Sequence, residues 1–371
     1  MIVIALLIAT VIPLAGLYGI YTLDLYKTGE FKFALICFGA GALAYAAAAQ
    51  INPAPLRLGW ITYNQMVRYL APAVEEILKA SILLVLVRRP KFTYFVDGAI
   101  YGFAAGVGFA ICENYEYILG NSNAAMAIAI NRVISTNLMH AASCALVGIV
   151  LGWARFQKPF KRFLFSIGGI LLAISLHMGF NNLVTRVTSG WLLLYAIIIG
   201  GGAAGFIAWM IKRGLKEERG WILEKLGVAD RVEQQEVNAV QNLAKVDEIL
   251  KRLAHTFGPE SASKIEKLLL TQARLGILRK TAEKMPDEKM RANIQSQIEL
   301  LHLEMEQARH EIGSYAMVYL RYTHLEEVFS VYTILGIKLQ ELAAQPRGAG
   351  MGIFDKLKER VANSPNEESK S

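Results

Sequence analysis

The sequence predicts an all-α protein: a polytopic membrane helix bundle of about seven spans, followed by a soluble helical bundle. Two observations carry that class. Of the 371 residues, 54% are hydrophobic, yet 19% are charged. The two kinds are segregated along the chain. Residues 1–211 consist of long apolar runs, whereas residues 212–371 are rich in Glu, Lys, Arg and Gln. About 20 apolar residues cross a hydrocarbon core of roughly 30 Å, so each run qualifies as a span.

The first run, "MIVIALLIATVIPLAGLYGIYTL", lacks a basic leader and is too long for a signal peptide core, so it reads as an anchor. Six more runs lie at about 31–50, 69–87, 94–119, 133–153, 163–185 and 191–211. With the N-terminus outside, twelve loop cations fall on the inner side: Lys27, Lys32, Arg88, Arg89, Lys91, Arg155, Lys158, Lys161, Arg162, Lys212, Arg213 and Lys216. Only Arg57, Arg68, Arg132 and Arg186 fall outside. The asymmetry predicts a multi-pass cell-membrane protein with its N-terminus out and its C-terminal part in the cytoplasm. The formal charge of +8 is thereby a topology and lipid-surface signal. No motif claims it for nucleic acid. Cys37, Cys112 and Cys144 sit inside apolar runs and read as small packing residues, since an odd count at this spacing fits no disulfide framework or zinc knuckle.

Helical patterns continue near 217–227, 230–257, 260–284, 287–312 and 315–343, broken at "TFGPES" and "KMPDEK". Breaks of that kind predict an antiparallel bundle with short loops. The chain therefore divides into a transmembrane domain at 1–211, a cytoplasmic helical domain at 212–345 and a flexible tail at 346–371. Within the tail "GIFDKLKERV" fits a short amphipathic turn at a membrane surface. His255, His302, His310 and His324 are scattered without ligand partners. The helical domain is expected to recruit or regulate, through a helix-mediated partner or self-association over residues 217–343.

The chemistry lies in the spans. The third carries Glu75, Glu76 and Lys79, the fourth Glu113, Asn114 and Glu116, the fifth His140, and the sixth His177 and Asn181. A charge at mid-bilayer costs roughly 2.5–3.5 kcal/mol on insertion scales, so such groups face the bundle interior and mark function. Counted from the outer end of each span, the Glu pair, Glu113, His140 and His177 all lie roughly 9–12 Å deep at 1.5 Å per residue. Helical stripes agree: Gly98, Gly102, Gly106, Phe109 and Glu113 share one face, as do His140, Cys144, Gly148 and Gly152, and Gly169, Ala173, His177 and Asn181. Small residues at this spacing let helix backbones approach closely.

Glu75 and Glu76 stand four and three residues before Lys79, within reach of its ammonium. Pairing offsets the cost of burial, so a glutamate here can stay ionised and serve as general base toward water. His177 and Asn181 could donate to an oxyanion, with His140 and Glu113 completing the site. The same residue types suit a zinc ion, with Glu76, Glu113, His140 and His177 as its ligands and water in the remaining position. No HExxH motif is present, so either no cofactor or zinc is compatible with the spacing.

In order, Glu75-Glu76-Ile77-Leu78-Lys79, Phe109 to Glu113, His140 to Gly148 and His177 to Asn181 match EExxK, FxxxE, HxxxxxxxG and HxxxN. This resembles the PrsW family of intramembrane proteases, related to the CPBP group that includes the CAAX-processing endopeptidases. The resemblance covers roughly residues 1–211. It implies an intramembrane protease that hydrolyses a single-pass, membrane-anchored protein near the extracytoplasmic face, with site-1 cleavage of an anti-sigma-factor-like substrate in signalling as the family's theme. It implies Glu75, Glu76, Glu113, His140, His177 and Asn181 as catalytic residues, supported by Lys79, Phe109 and Gly148. The family is described both as metal-dependent and as glutamate-dependent; the CPBP relation favours the latter.

Two other classes compete. A transporter or channel usually places its site at the midplane, at broken helices within internal repeats. Here the site is off-centre, no convincing repeat appears, and the cluster Gly200–Gly202 with Ala203, Ala204 and Gly205 is the nearest candidate for a break. A non-catalytic scaffold with a cytoplasmic signalling bundle would tolerate loss of the polar residues.

Overall fold

The computed structural model describes residues 1–184, 186, 189–227, 232, 234–241 and 243–322, with side chains described except at 189–200, 234, 235, 241, 243–249, 321 and 322. The tail, its amphipathic segment, His324 and the end of the 315–343 helix lie outside these residues. Among the described residues every regular element is helical.

Eight longer helices among the described residues form the N-terminal part: α1 (Ile2–Thr22), α2 (Phe31–Ile51), α3 (Ala71–Leu86), α4 (Phe95–Gly120), α5 (Ala125–Ile134), α6 (Thr136–Ala154), α7 (Pro159–Val184) and α8 (Ser189–Lys225). Five helical stretches among the described residues are long and apolar enough to cross a membrane: Ile2–Thr22, Phe31–Arg57, Phe95–Gly120, Ser122–Ala154 and Pro159–Val184. The chain is a multi-pass membrane protein. The expected third span differs in form. Its α-helix, α3, has only 16 residues, and it is entered through a π-helical turn at Met66–Leu70 and the short helix Tyr63–Gln65. Thr62 and Gln65 close a capping box at that start. The expected seventh span falls in α8, which runs on for 37 residues and carries the chain past position 211 without a break.

α4 is the axis. Every residue from Phe95 to Ile111 is buried, and its glycines explain how. A Cβ on Gly98 would land on the carbonyl of Gly148, one on Gly102 on that of Cys144, and one on Gly106 on that of His140. The two stripes read from the sequence thus meet backbone to backbone. On the opposite side Gly41 of α2 closes on the Ala105 carbonyl, and Gly108 on that of Phe38. α7 buries a narrow face, Gly169, Ala173, Ile174, His177 and Phe180. Leu164, Leu171 and Leu172 stay exposed, as a lipid-facing surface requires.

The charged C-terminal helices, α9 (Gln234–Gln241), α10 (Leu243–Phe257), α11 (Pro259–Lys284), α12 (Glu288–Ile312) and α13 (Ser314–Tyr322), pack on the ends of the membrane helices. The break at "KMPDEK" is the turn before α12, whose start is capped by Asp287 accepting from the Met290 N–H at 3.0 Å. Gly258 and Gly313 take positive φ, 88° and 81°, at two other turns where a side chain would be strained. Trp221 of α8 stacks 4.5 Å from Tyr94, with Lys284 of α11 above its ring at 4.4 Å. Lys27 pairs with Glu266 at 2.9 Å, and Arg274 donates to the Lys27 carbonyl. The contacted ends carry the twelve-cation set, so the helical part and those loops share one side.

One buried acid sits at this seam. Asp24, in the loop after α1, accepts from the Gly29 N–H at 2.9 Å. Burial, and then the nearby Asp97 of α4, push its carboxyl up to about 7, against the weaker pull of Gly29 and Arg274. Burial likewise raises Glu218 of α8, whose oxygens find no partner among the described residues. An unfolded aspartate titrates near 3.9, so between about pH 4 and 7 the folded chain holds a proton that the unfolded chain has released. The stability tied to Asp24 is therefore full below about pH 4 and is lost as pH rises to about 7. Asp24→Asn should flatten that part of a thermal-unfolding profile taken in detergent from acid to neutral pH. A profile identical to that of the parent chain would refute the assignment.

Candidate active site

α3 turns Glu75, Glu76 and Lys79 inward, leaving them 8%, 1% and 1% exposed. The Lys79 ammonium donates to Glu76 Oε1 at 2.6 Å and to His140 Nδ1 at 2.8 Å, and lies 4.7 Å from the Phe109 ring centre. Because an ammonium only donates, His140 Nδ1 accepts, and the ring proton sits on Nε2. That nitrogen donates to Glu113 Oε2 at 2.8 Å. Arg132 pairs with Glu113 at 2.6 Å and donates from Nε to Asn114 at 2.8 Å.

Glu76 is fully engaged. Beside Lys79, it accepts from Ser143 Oγ at 3.2 Å on both oxygens and from His177 Nδ1 at 2.9 Å. With its Nδ1 proton given to Glu76, His177 presents a free lone pair on Nε2. That lone pair faces Glu75 Oε2 at 3.9 Å. The other Glu75 oxygen accepts from Asn52 at 3.2 Å. The His140 and His177 rings stand edge to face, 4.8 Å apart. The groups expected at one depth therefore form a continuous network across α3, α4, α6 and α7.

Three of these side chains, Glu75, His140 and His177, each offer an atom within 4.8 Å of the others. A buried carboxylate with two imidazoles is a donor set that suits zinc. It differs from the expected set, because Glu76 and Glu113 are each neutralised by protein cations. Both His140 nitrogens are engaged, Nδ1 by Lys79 and Nε2 by Glu113, so one of these bonds would have to open for His140 to become a ligand. Asn181 also departs from expectation: its amide donates to the Val67 carbonyl at 2.8 Å, tying α7 to the π-helical turn. Gly148 serves by its closeness to Gly98, and Glu116 accepts from Tyr45 at 2.5 Å, away from the cluster.

Asn52, Ser143 and Arg132 were not singled out in the sequence. Ser143 could have been found, one helical turn from His140. Arg132 counts as a loop cation by position, and Asn52 lies at the end of another helix, so neither left a local signal.

The sequence model of the PrsW family intramembrane metalloproteases matches residues 29–199. Protease PrsW of Clostridioides difficile (strain 630) is 32% identical over 136 residues, 35% of this chain and 57% of that protein. Protease PrsW of Shouchella clausii (strain KSM-K16) is 26% identical over 211 residues, 53% of this chain and 89% of that protein. Protease PrsW of Bacillus subtilis (strain 168) is 29% identical over 120 residues, 32% of this chain and 53% of that protein. The chain thus spans just over half the length of two of these relatives and most of the third. No solved structure matches it. The matched residues, 29–199, contain the four motifs and the network of Glu75, Glu76, Lys79, Glu113, His140 and His177, so over this stretch the chain is similar to the PrsW family intramembrane metalloproteases.

Proposed function

We propose that this protein hydrolyses a peptide bond of a single-pass membrane protein, with Glu75 as the base that activates water. One observation carries the reading: among the three glutamates of the network, only Glu75 is not bonded directly to a cation, and it faces the free Nε2 of His177 across 3.9 Å. A separation of that size suits a bridging water. Held there, the water gives a proton to Glu75 and keeps a hydrogen bond to His177. Its oxygen attacks the scissile carbonyl carbon. Glu75 then passes the proton to the amide nitrogen as the C–N bond breaks, in the usual acid–base exchange. Glu76 holds His177 in the required tautomer, and the buried Lys79 ammonium opposes the negative charge that develops. A cavity of about 380 Å³ opens between α6 and α7 beside Ser143, lined by Met139, Leu176 and Phe180. It is where an apolar substrate segment would approach.

The triad of Glu75, His140 and His177 favours a second reading. A zinc ion held by those residues would supply Lewis-acid activation of the same water. Purified protein reconstituted with a single-pass substrate distinguishes the two. Cleavage that survives EDTA supports the glutamate mechanism; loss with EDTA and recovery with zinc supports the metal.

We place the site near the extracytoplasmic face and the helical part, as a recruiting or regulatory domain, in the cytoplasm; an anti-sigma-factor-like protein is the substrate class in view. Loop charge supports the orientation. Reporter fusions in the loop at 121–124 should give the external signal, and residues 259–312 should resist labelling from outside. The reverse pattern would invert the topology and move the site to the inner leaflet.

A further inference from the structure

A second cavity, of about 730 Å³, lies where α3, α6 and α7 meet the turn before α12. Its walls have two characters. Toward the membrane interior it is lined by Leu84, Leu151, Ile167 and Ile170. At its other end stand Arg88, Arg155, Arg162 and Lys289, with Asp287 as the one carboxylate among the lining residues. Arg88 follows the end of α3, Arg155 follows the end of α6, and Arg162 lies in the first turn of α7. These three sit at one level, where helices leave the hydrocarbon. The apolar residues lie roughly one to two turns deeper, about 6–12 Å at 1.5 Å per residue. Phe163 and Ile167 at the rim are exposed, so the cleft opens sideways toward lipid.

The charge is unbalanced. Asp287 stands 4.0 Å from Arg162 and already caps α12. Arg155 is 2% exposed, yet its Nε and Nη2 have no acceptor among the described residues. Nη1 donates to the Thr93 carbonyl at 3.3 Å, the rings of Phe92 and Phe156 lie alongside and the Asp97 carboxyl is nearby, but none of these engages the other two nitrogens. Buried guanidinium N–H groups left open are costly, and an arginine fork suits phosphate.

We propose that this cleft binds an anionic phospholipid from the leaflet on the side of the helical domain, its phosphate among Arg88, Arg155, Arg162 and Lys289 and its first methylenes along Leu84, Ile167 and Ile170. Basic pockets between spans are a recurrent form of lipid-headgroup recognition. The quaternary amine of a zwitterionic lipid would meet an already cationic wall. This site is separate from the glutamate–histidine network and does not depend on its chemistry.

The test uses the full chain in a neutral detergent, with phosphatidylglycerol, phosphatidylcholine and free glycerol 3-phosphate added separately. Bound lipid is read by native mass spectrometry and by the unfolding midpoint. Phosphatidylglycerol should remain bound and raise the midpoint, while the other two should do neither. The triple variant R88Q/R162Q/K289Q, changed at exposed or half-buried positions with Arg155 left in place, should bind phosphatidylglycerol about a hundred-fold more weakly at about 1 kcal/mol per cation. Its midpoint without lipid should be unchanged. Where the triple variant does not fold, R162Q alone, with a smaller loss expected, takes its place beside the parent-chain lipid comparison. Equal binding of the two lipids, or a variant that binds like the parent, would overturn the proposal. Stabilisation by glycerol 3-phosphate equal to that by the lipid would also overturn it, making the cleft a site for soluble anions.

Discussion

Glu75→Gln is expected to abolish cleavage while leaving the protein folded. Among the described residues its carboxylate accepts from Asn52, a role that the glutamine carbonyl can fill. What is lost is the proton acceptor, and loss of a general base costs about 10²- to 10⁴-fold in rate. Glu76→Gln should behave in the opposite way. Glu76 is the carboxylate partner of the fully buried Lys79. Leaving a buried charge unpaired costs about 3–5 kcal/mol, so this variant should lose thermal stability, and activity as a consequence. Paired measurements of substrate cleavage and unfolding in detergent separate the roles. Wild-type cleavage by the Glu75 variant would remove it as the base. Unaltered stability in the Glu76 variant would break the proposed division of labour.

Glycine substitutions should show an equally sharp contrast. In Gly102→Ala and Gly106→Ala, the new methyl lands on a backbone carbonyl of α6, which no side-chain rotation can relieve. Overpacking typically costs about 1–3 kcal/mol, and a backbone-to-backbone clash lies at the upper end or beyond. Gly106→Ala should also displace the His140 carbonyl and with it the network. Gly168 and Gly179 of α7 meet nothing within 4 Å. Alanine there should be neutral or stabilising by about 0.5–1 kcal/mol, the usual helix-interior preference. Midpoints in one detergent provide the comparison. Equal effects at Gly106 and Gly179 would mean that the helices do not meet as described.

The network was legible in the sequence because charge within an apolar run has few explanations. Glu113, His140 and His177 each interrupt a stripe of small residues, and the three stripes could be aligned by depth alone. The separate roles of Glu75 and Glu76 were not legible. Both lie one turn from Lys79, and only the position of α7, which brings His177 to Glu76 on one nitrogen and toward Glu75 on the other, distinguishes them. The continuous α8 was hidden by a change of composition at 212 that carries no proline: "KRGLKEERGW" holds mostly good helix formers around its two glycines. The π-helical turn at Met66–Leu70 has no residue signature; its orphaned carbonyl surfaced through its bond to Asn181. Asp24 and Asp97 stand near the ends of spans, where an acid ordinarily reaches water, so their burial depends on how the later helices pack.

The backbone contact between α4 and α6 has a consequence for motion. Two helices that touch at carbonyls through three successive glycine turns cannot slide or part without losing every contact at once, so this pair is the keel of the bundle. Any gate must be built from what is held less tightly. α7 meets α6 through a narrow stripe and gives most of its surface to lipid, and it is laced to the π-helical turn by the Asn181 hydrogen bond to Val67. A swing of α7 would widen the cleft beside Ser143. It would also carry His177 away from Glu75, so the bundle could be open to an incoming chain or armed for hydrolysis, but not both together.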